Sequence, residues 1–172
     1  MANIKRFYEE NAVYFLTTAT KDKIEIFKDP KNCKILLVTL EYFKIVLDYR
    51  LYGFCIMPDH LHLVIHPLGI YNFSYIIKMI KGSFARKLNK ANGKIGKVWQ
   101  KGFYDEYIRD KLHLLRVLEY MHNNPLKAGL VTSPEEYLFS SYNHYFQTTY
   151  KPNQIIEIDK PMLWVIRRVV DV

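Results

Sequence analysis

LYGFCIMPDHLHLVIH, residues 51–66, reads as two strands separated by a tight connection. The first half, 51–57, is aromatic and branched. The second, HLHLVIH (60–66), sets His60, His62 and His66 against Leu61, Leu63 and Ile65, with Val64 as an apolar exception, and Pro58-Asp59 between them suits a turn or bulge. The pair predicts two neighbouring antiparallel strands. Side chains alternate faces along a strand, so His60 and His62 project from one side while Leu61, Leu63 and Ile65 project from the other into a core.

The chain on either side extends the pattern. VYFLTTAT (13–20) has strand composition, and the polar stretch 21–28 suits a loop. Pro30 opens a helical stretch in which Ile35, Val38, Phe43, Val46 and Leu47 recur at helical spacing. After Pro67–Gly69, residues 71–92 form an amphipathic pattern with Phe73, Ile76, Ile77, Ile80 and Phe84 on one side. Gly93 and Gly96 bracket a basic loop, and Trp99–Ile108 suits a fourth strand. Asp110 is placed to cap a helix over 111–123 built on Leu114, Leu115, Leu118 and Met121. Pro125 disfavours α conformation in the residue before it, so that helix is expected to stop at Asn124. The order β-α-β-β-α-β plus a helix predicts an α+β chain: a ferredoxin-like split βαβ with an antiparallel sheet and a C-terminal tyrosine-bearing helix. One domain over 1–172 is expected. The last thirty residues, with NQIIEIDKPMLWVIRRVV, suit a short strand or helix against the body.

Composition narrows the class. Apolar residues make up 49% and charged residues 24%, as in soluble globular chains, and no apolar run reaches the roughly 20 residues that span a bilayer. MANIKRFYEEN contains no signal-like apolar stretch, so no membrane partner and a cytoplasmic location are expected. Cys33 and Cys55 form no metal-ligand spacing and suit buried small apolar sites. Between Asp59 and Asp105 there is no acidic residue, whereas Lys78, Lys81, Arg86, Lys87, Lys90, Lys94, Lys97 and Lys101 all fall there. Those eight charges equal the net charge of +8. A one-sign stretch suits a polyanion, although a solvated basic helix face has the same composition.

Two constellations carry chemistry. His60 and His62 can converge on one cation and leave open positions for substrate oxygens, but an HxH pair equally describes structural histidines. Val64 stands where a histidine-triad hydrolase would need a third His, and His66 reads as structural or solvent-facing. On the last helix Tyr120 and Asn124 are one turn apart on one face. A phenol there can reach a phosphate while the Asn124 oxygen joins the His pair around Mg²⁺ or Mn²⁺. A rim tyrosine and a helix-terminal asparagine would show the same spacing.

Four strings then carry a resemblance: MPDHLHLVI (57–65), VWQKGFYDEYIRD (98–110), YMHNNPLKAGLV (120–131) and PEEYLFSSY (134–142). In this order they resemble the single-tyrosine HUH transposases of insertion sequences, in the branch of REP-associated tyrosine transposases, over about residues 10–145. Residues 146–172 form an extension outside the match, and Met121 and Leu126 stand where Ile and Val are more usual. The resemblance implies nicking and strand transfer on single-stranded hairpin DNA through a 5′-phosphotyrosine link. It implies Tyr120 as nucleophile and a divalent metal on His60, His62 and Asn124. Arg116 and Lys127 are candidate cations near the phenol. The acid-free segment is expected to grip DNA, with Trp99 and Phe103 as candidate base-stacking rings and Phe84 as core. The relatives work as a monomer or as a homodimer that exchanges the tyrosine helix. A non-cutting hairpin-binding module for DNA or RNA, and a nuclease in which water attacks, remain as alternatives.

Overall fold

The computed structural model describes residues 8–9, 11–146 and 148–161, so the string from 162 onward lies outside the described residues. The strands are β1 (Val13–Ala19), β2 (Tyr49–Met57), β3 (His60–Pro67) and β4 (Tyr104–Ile108). The main helices are α1 (Pro30–Val46), α2 (Phe73–Ala91) and α3 (Lys111–Lys127), followed by one helical turn, α4 (Tyr142–Tyr145). The sheet runs β2-β3-β1-β4 with every neighbour antiparallel, which is the expected split-βαβ order. Among the described residues no helix is long and apolar enough to cross a membrane.

Both faces of the sheet are covered, which is why LYGFCIM shows little alternation. Leu16, Leu51, Phe54, Ile56, Leu61, Leu63 and Ile65 face α1 and α2. Phe15, Tyr52, Cys55, Met57 and Val64 face α3 through Leu114, Val117, Leu118 and Met121. The register of β2 slips between Leu51 and Gly53, so Tyr52 and Gly53 both serve the α3 side. Gly53 is where the helix comes closest. A Cβ there would stand 2.7 Å from Leu118 Cδ2 and 2.7 Å from Met121 Cε.

Several expectations change. The buried stripe of α1 is Cys33, Leu36, Leu37, Leu40 and Phe43, while Val38 and Val46 are exposed, because the sheet meets the helix along the 3-4-3 spacing beginning at Cys33. On α3 the inward residue is Val117, and Leu115 is exposed. β4 begins at Tyr104; Trp99 makes only an isolated bridge to Thr20. Most notably, α3 does not stop at Asn124. It continues through Pro125 to Lys127, because the Pro125 ring is buried against the body and offsets the lost N–H. The end comes at Gly129 (φ +67°), where the Leu130 N–H donates to the Pro125 carbonyl (3.0 Å) and the Gly129 N–H to the Leu126 carbonyl (3.0 Å). Asp110 caps the start as expected, accepting from the His113 N–H at 2.7 Å.

The SSY string clamps α3 to the sheet. Phe139–Ser141 runs along the outer edge of β2: the Ile56 N–H donates to the Phe139 carbonyl and the Ser141 N–H to the Phe54 carbonyl. The buried Ser141 hydroxyl accepts from the Phe54 N–H and meets His122 Nε2 at 2.8 Å. Further along, Asp159 bonds Leu51, and Ile156 and Ile158 join the core. Part of the final stretch therefore covers that edge without forming an assigned strand.

Burial, with His144 nearby, lowers the His122 pKa to about 4. Between the ordinary histidine value near 6.5 and about 4, the unfolded chain binds a proton that the folded chain refuses. This contribution to stability is intact above about pH 6.5 and lost as the pH falls to about 4. Urea midpoints should drop across that window, and His122→Gln should flatten the slope. An unchanged slope would remove His122 from the account.

Candidate active site

β3 sets both histidines toward α3, and each Nδ1 is engaged. His62 is buried and its Nδ1 lies 2.7 Å from Oγ1 of Thr17, its direct neighbour across the β1–β3 ladder. His60 Nδ1 lies 2.5 Å from Oδ1 of Asp59. Both Nε2 atoms therefore turn to one point, 3.1 Å apart, and Asn124 Nδ2 stands 3.1 Å from His62 Nε2. Thr17 and Asp59 were missed in the sequence. Thr17 is visible only through strand register, and Asp59 reads as a turn residue although it adjoins the pair.

The electrostatics are specific. Burial first, then the His60 charge, lower the His62 pKa to about 3, so its ring is neutral at pH 7. With Nδ1–H directed at Thr17, a lone pair on His62 Nε2 faces His60 Nε2. Two such nitrogens repel unless a proton or cation lies between them. Their separation is close to that of two nitrogens each about 2.0–2.1 Å from one metal. A half-turn of the Asn124 amide exchanges its nitrogen for an oxygen donor at the same point. The donor set thus fits a divalent cation. Among the described residues no cluster of three or more His, Cys, Asp or Glu is arranged as a metal site.

Tyr120 joins this group in the same chain. Its ring stands 6.0 Å from that of His62 and edge-on to Phe15 at 6.3 Å, about half exposed, with Lys127 Nζ 5.6 Å from the ring centre. One turn earlier, exposed Arg116 borders the same cleft, of about 440 Å³, whose far wall is Tyr104 and Glu106 on β4. Glu106 Oε1 meets His113 Nε2 at 3.0 Å, and its Oε2 accepts from the Tyr104 hydroxyl at 3.0 Å. A second recess, about 490 Å³, is lined by Leu118, His122 and Tyr145 and includes none of His60, His62, Tyr120 or Asn124.

The basic segment divides. Lys78, Lys81, Arg86, Lys87 and Lys90 lie on α2, which packs on the sheet face opposite the His pair. Lys81 donates to the Gln100 and Gly102 carbonyls, and Lys87 to Thr39 Oγ1, so these two tie elements together. Exposed Lys94, Lys97 and Lys101 lie in the loop beside the His60 end of the sheet, held there by Lys21 N–H to Val98 and Gln100 N–H to Ala19. The expectation of Trp99 as a stacking platform is corrected: the ring is buried between Phe27 and Phe84, and its Nε1 donates to the Lys81 carbonyl. Phe84 is core, as expected, and Phe103 packs partly buried against it.

A family model described as "Transposase IS200 like" matches residues 9–124. A Haemophilus influenzae protein named among the REP-associated tyrosine transposases is 26% identical over 156 residues, covering 83% of this chain and 86% of its own. The REP-associated tyrosine transposase of Escherichia coli is 23% identical over 153 residues, covering 83% of this chain and 84% of its own. The fold matches a solved REP-associated tyrosine transposase bound to a REP hairpin, with TM-score 0.75 and 19% identity, over 94% of this chain and 98% of that one.

Thr17 should hold His62 in its Nδ1–H tautomer. Nitrogen-15 NMR of the imidazoles should show an unprotonated Nε2 at neutral pH, and Thr17→Val should mix the tautomers. A pure Nδ1–H signal in that variant would show the threonine to be irrelevant.

Proposed function

The chain belongs to the IS200-like transposase family, and from that premise we propose that it nicks and rejoins single-stranded hairpin DNA with Tyr120 as nucleophile and His60, His62 and Asn124 around one Mg²⁺ or Mn²⁺. The supporting observation is the meeting of the three polar groups, with Tyr120 beside them, on β3 and α3 of a single chain. One chain then suffices for the reaction, which favours a working monomer over exchange of α3 between copies. Expected in the cytoplasm, the enzyme takes DNA as its partner.

A cation at this point supplies positive charge to a phosphate oxygen during displacement. The remaining work belongs to side chains. Tyr120, carried on the helix face one turn before Asn124, directs its oxygen at phosphorus. Lys127 and Arg116 place positive charge beside the phenol, where it can meet the phosphate. Attack forms the Tyr120–phosphorus bond and breaks the phosphorus–O3′ bond; the phenol gives up its proton, the 3′-oxygen takes one up and leaves as a hydroxyl, and a 5′-phosphotyrosine remains. The phosphodiester energy is retained for rejoining, so no nucleotide-triphosphate loop is required, and the sequence has no GxxxxGK[ST] string. Asp59 and Thr17 fix the ring orientations. Lys94, Lys97 and Lys101 are placed to meet DNA backbone at the His60 end; the α2 cations reach only DNA that wraps the edge of the sheet.

Incubating the protein with Mn²⁺ and a labelled single-stranded hairpin should yield a protein–DNA adduct on a denaturing gel. Tyr120→Phe should abolish it while retaining hairpin binding. Cleavage to free ends without an adduct would replace the tyrosine by water, and binding without cleavage would make the chain a recognition module. Separately, Asp59→Asn should weaken Mn²⁺ binding by about 10–100-fold in calorimetric titration. Undiminished affinity would release Asp59 from its orienting role.

A further inference from the structure

We propose that the cleft between β4 and α3 reads the base of a nucleotide flanking the scissile phosphate, with Glu106 accepting from the base's amino group and Arg116 holding the adjoining phosphate. This rests on Tyr120 as nucleophile, because the cleft opens directly onto that ring and onto His62.

The walls have opposite chemistry. On the α3 side Arg116 is exposed and forms no ion pair or hydrogen bond with any described residue, one turn from Tyr120. On the β4 side stands a carboxylate inside a site meant for a polyanion. Phosphate is repelled from Glu106 and drawn to Arg116, so a nucleotide entering the cleft turns its backbone to α3 and its base to β4. The cleft, about 440 Å³, has room for one nucleotide.

Glu106 is held rigidly for such a task. The Arg109 N–H points at His113 Nδ1 (3.3 Å), which leaves His113 Nε2–H to donate to Oε1, while the Tyr104 hydroxyl donates to Oε2. Desolvation, together with the Glu106 bond, raises the Tyr104 pKa and keeps that donor protonated. An ionised carboxylate has about four lone-pair sites, so two remain for a ligand. Its side chain is 34% exposed, enough to be reached. Tyr104, 56% exposed and edge-on to Phe15, offers an open ring face beside it. An acceptor-only group pairs with the amino groups of cytosine, adenine or guanine. Thymine has none and presents carbonyl oxygens on both sides of its one N–H, which a carboxylate repels.

The test selects a library of labelled hairpins with a randomised single-stranded arm on the Tyr120→Phe protein, followed by sequencing of the bound fraction. Thymine should be depleted at least about fivefold at one arm position. Adding Glu106→Gln should reduce the depletion to within about twofold, whereas Glu106→Asp, which keeps the carboxylate, should retain part of it. Arg116→Gln, at an exposed site that leaves folding intact, should weaken binding of all arms alike and lower the salt dependence. Equal thymine depletion with and without Glu106, or unchanged affinity without Arg116, overturns the inference. Hairpin binding with no base preference sinks it while sparing the nucleophile. Failure to bind any hairpin sinks both.

Discussion

The geometry of the candidate site depends on how closely α3 lies on the sheet, because Asn124 and Tyr120 ride on the helix while His60 and His62 ride on β3. Gly53 lies where the two meet. Any side chain there would push on Leu118 and Met121, the residues through which the helix rests on β2. The neighbouring slip in register turns Tyr52 to the same side, where its hydroxyl meets buried His66. Ser141 then fastens the helix from beyond the β2 edge, bonding Phe54 and His122 together. The seat of the helix thus involves a missing Cβ and a serine that lie outside the His60, His62, Tyr120 and Asn124 group.

Much of this was readable in advance, for physical reasons that also explain the gaps. Period-two alternation in HLHLVIH fixes which side of the strand the histidines occupy regardless of neighbours, and helical spacing places Tyr120 and Asn124 on one face. Register between distant strands leaves no local mark, so Thr17 was invisible. Trp99 in a lysine-rich stretch has the same local signature whether it stacks on a base or fills a core; here Phe27 and Phe84 claim it. Pro125 shows that a local preference against helix yields when the ring is buried. Val38 and Val46 show that apolar residues at helical spacing need not be the stripe that packs.

Charge is the clearest case of adjacency in sequence misleading about adjacency in space. The eight cations of the acid-free segment look like one patch, yet the sheet stands between those of α2 and the His pair. Lys81 and Lys87 spend their ammonium groups on carbonyl and hydroxyl oxygens that tie α2 to its neighbours. Arg116 and Lys127, isolated in the sequence, border Tyr120.

The segment along β2 has one more effect. Residues 139–141 and 159 take up backbone groups on that edge, so a strand from another molecule finds little there to pair with. Among the described residues no strand lies beyond β4, leaving its five-residue rim as the open side of the sheet. That rim also carries Tyr104 and Glu106. Self-association by sheet extension would therefore crowd the mouth of the cleft beside Tyr120, setting polymerisation of the protein and entry of the proposed nucleotide in direct competition.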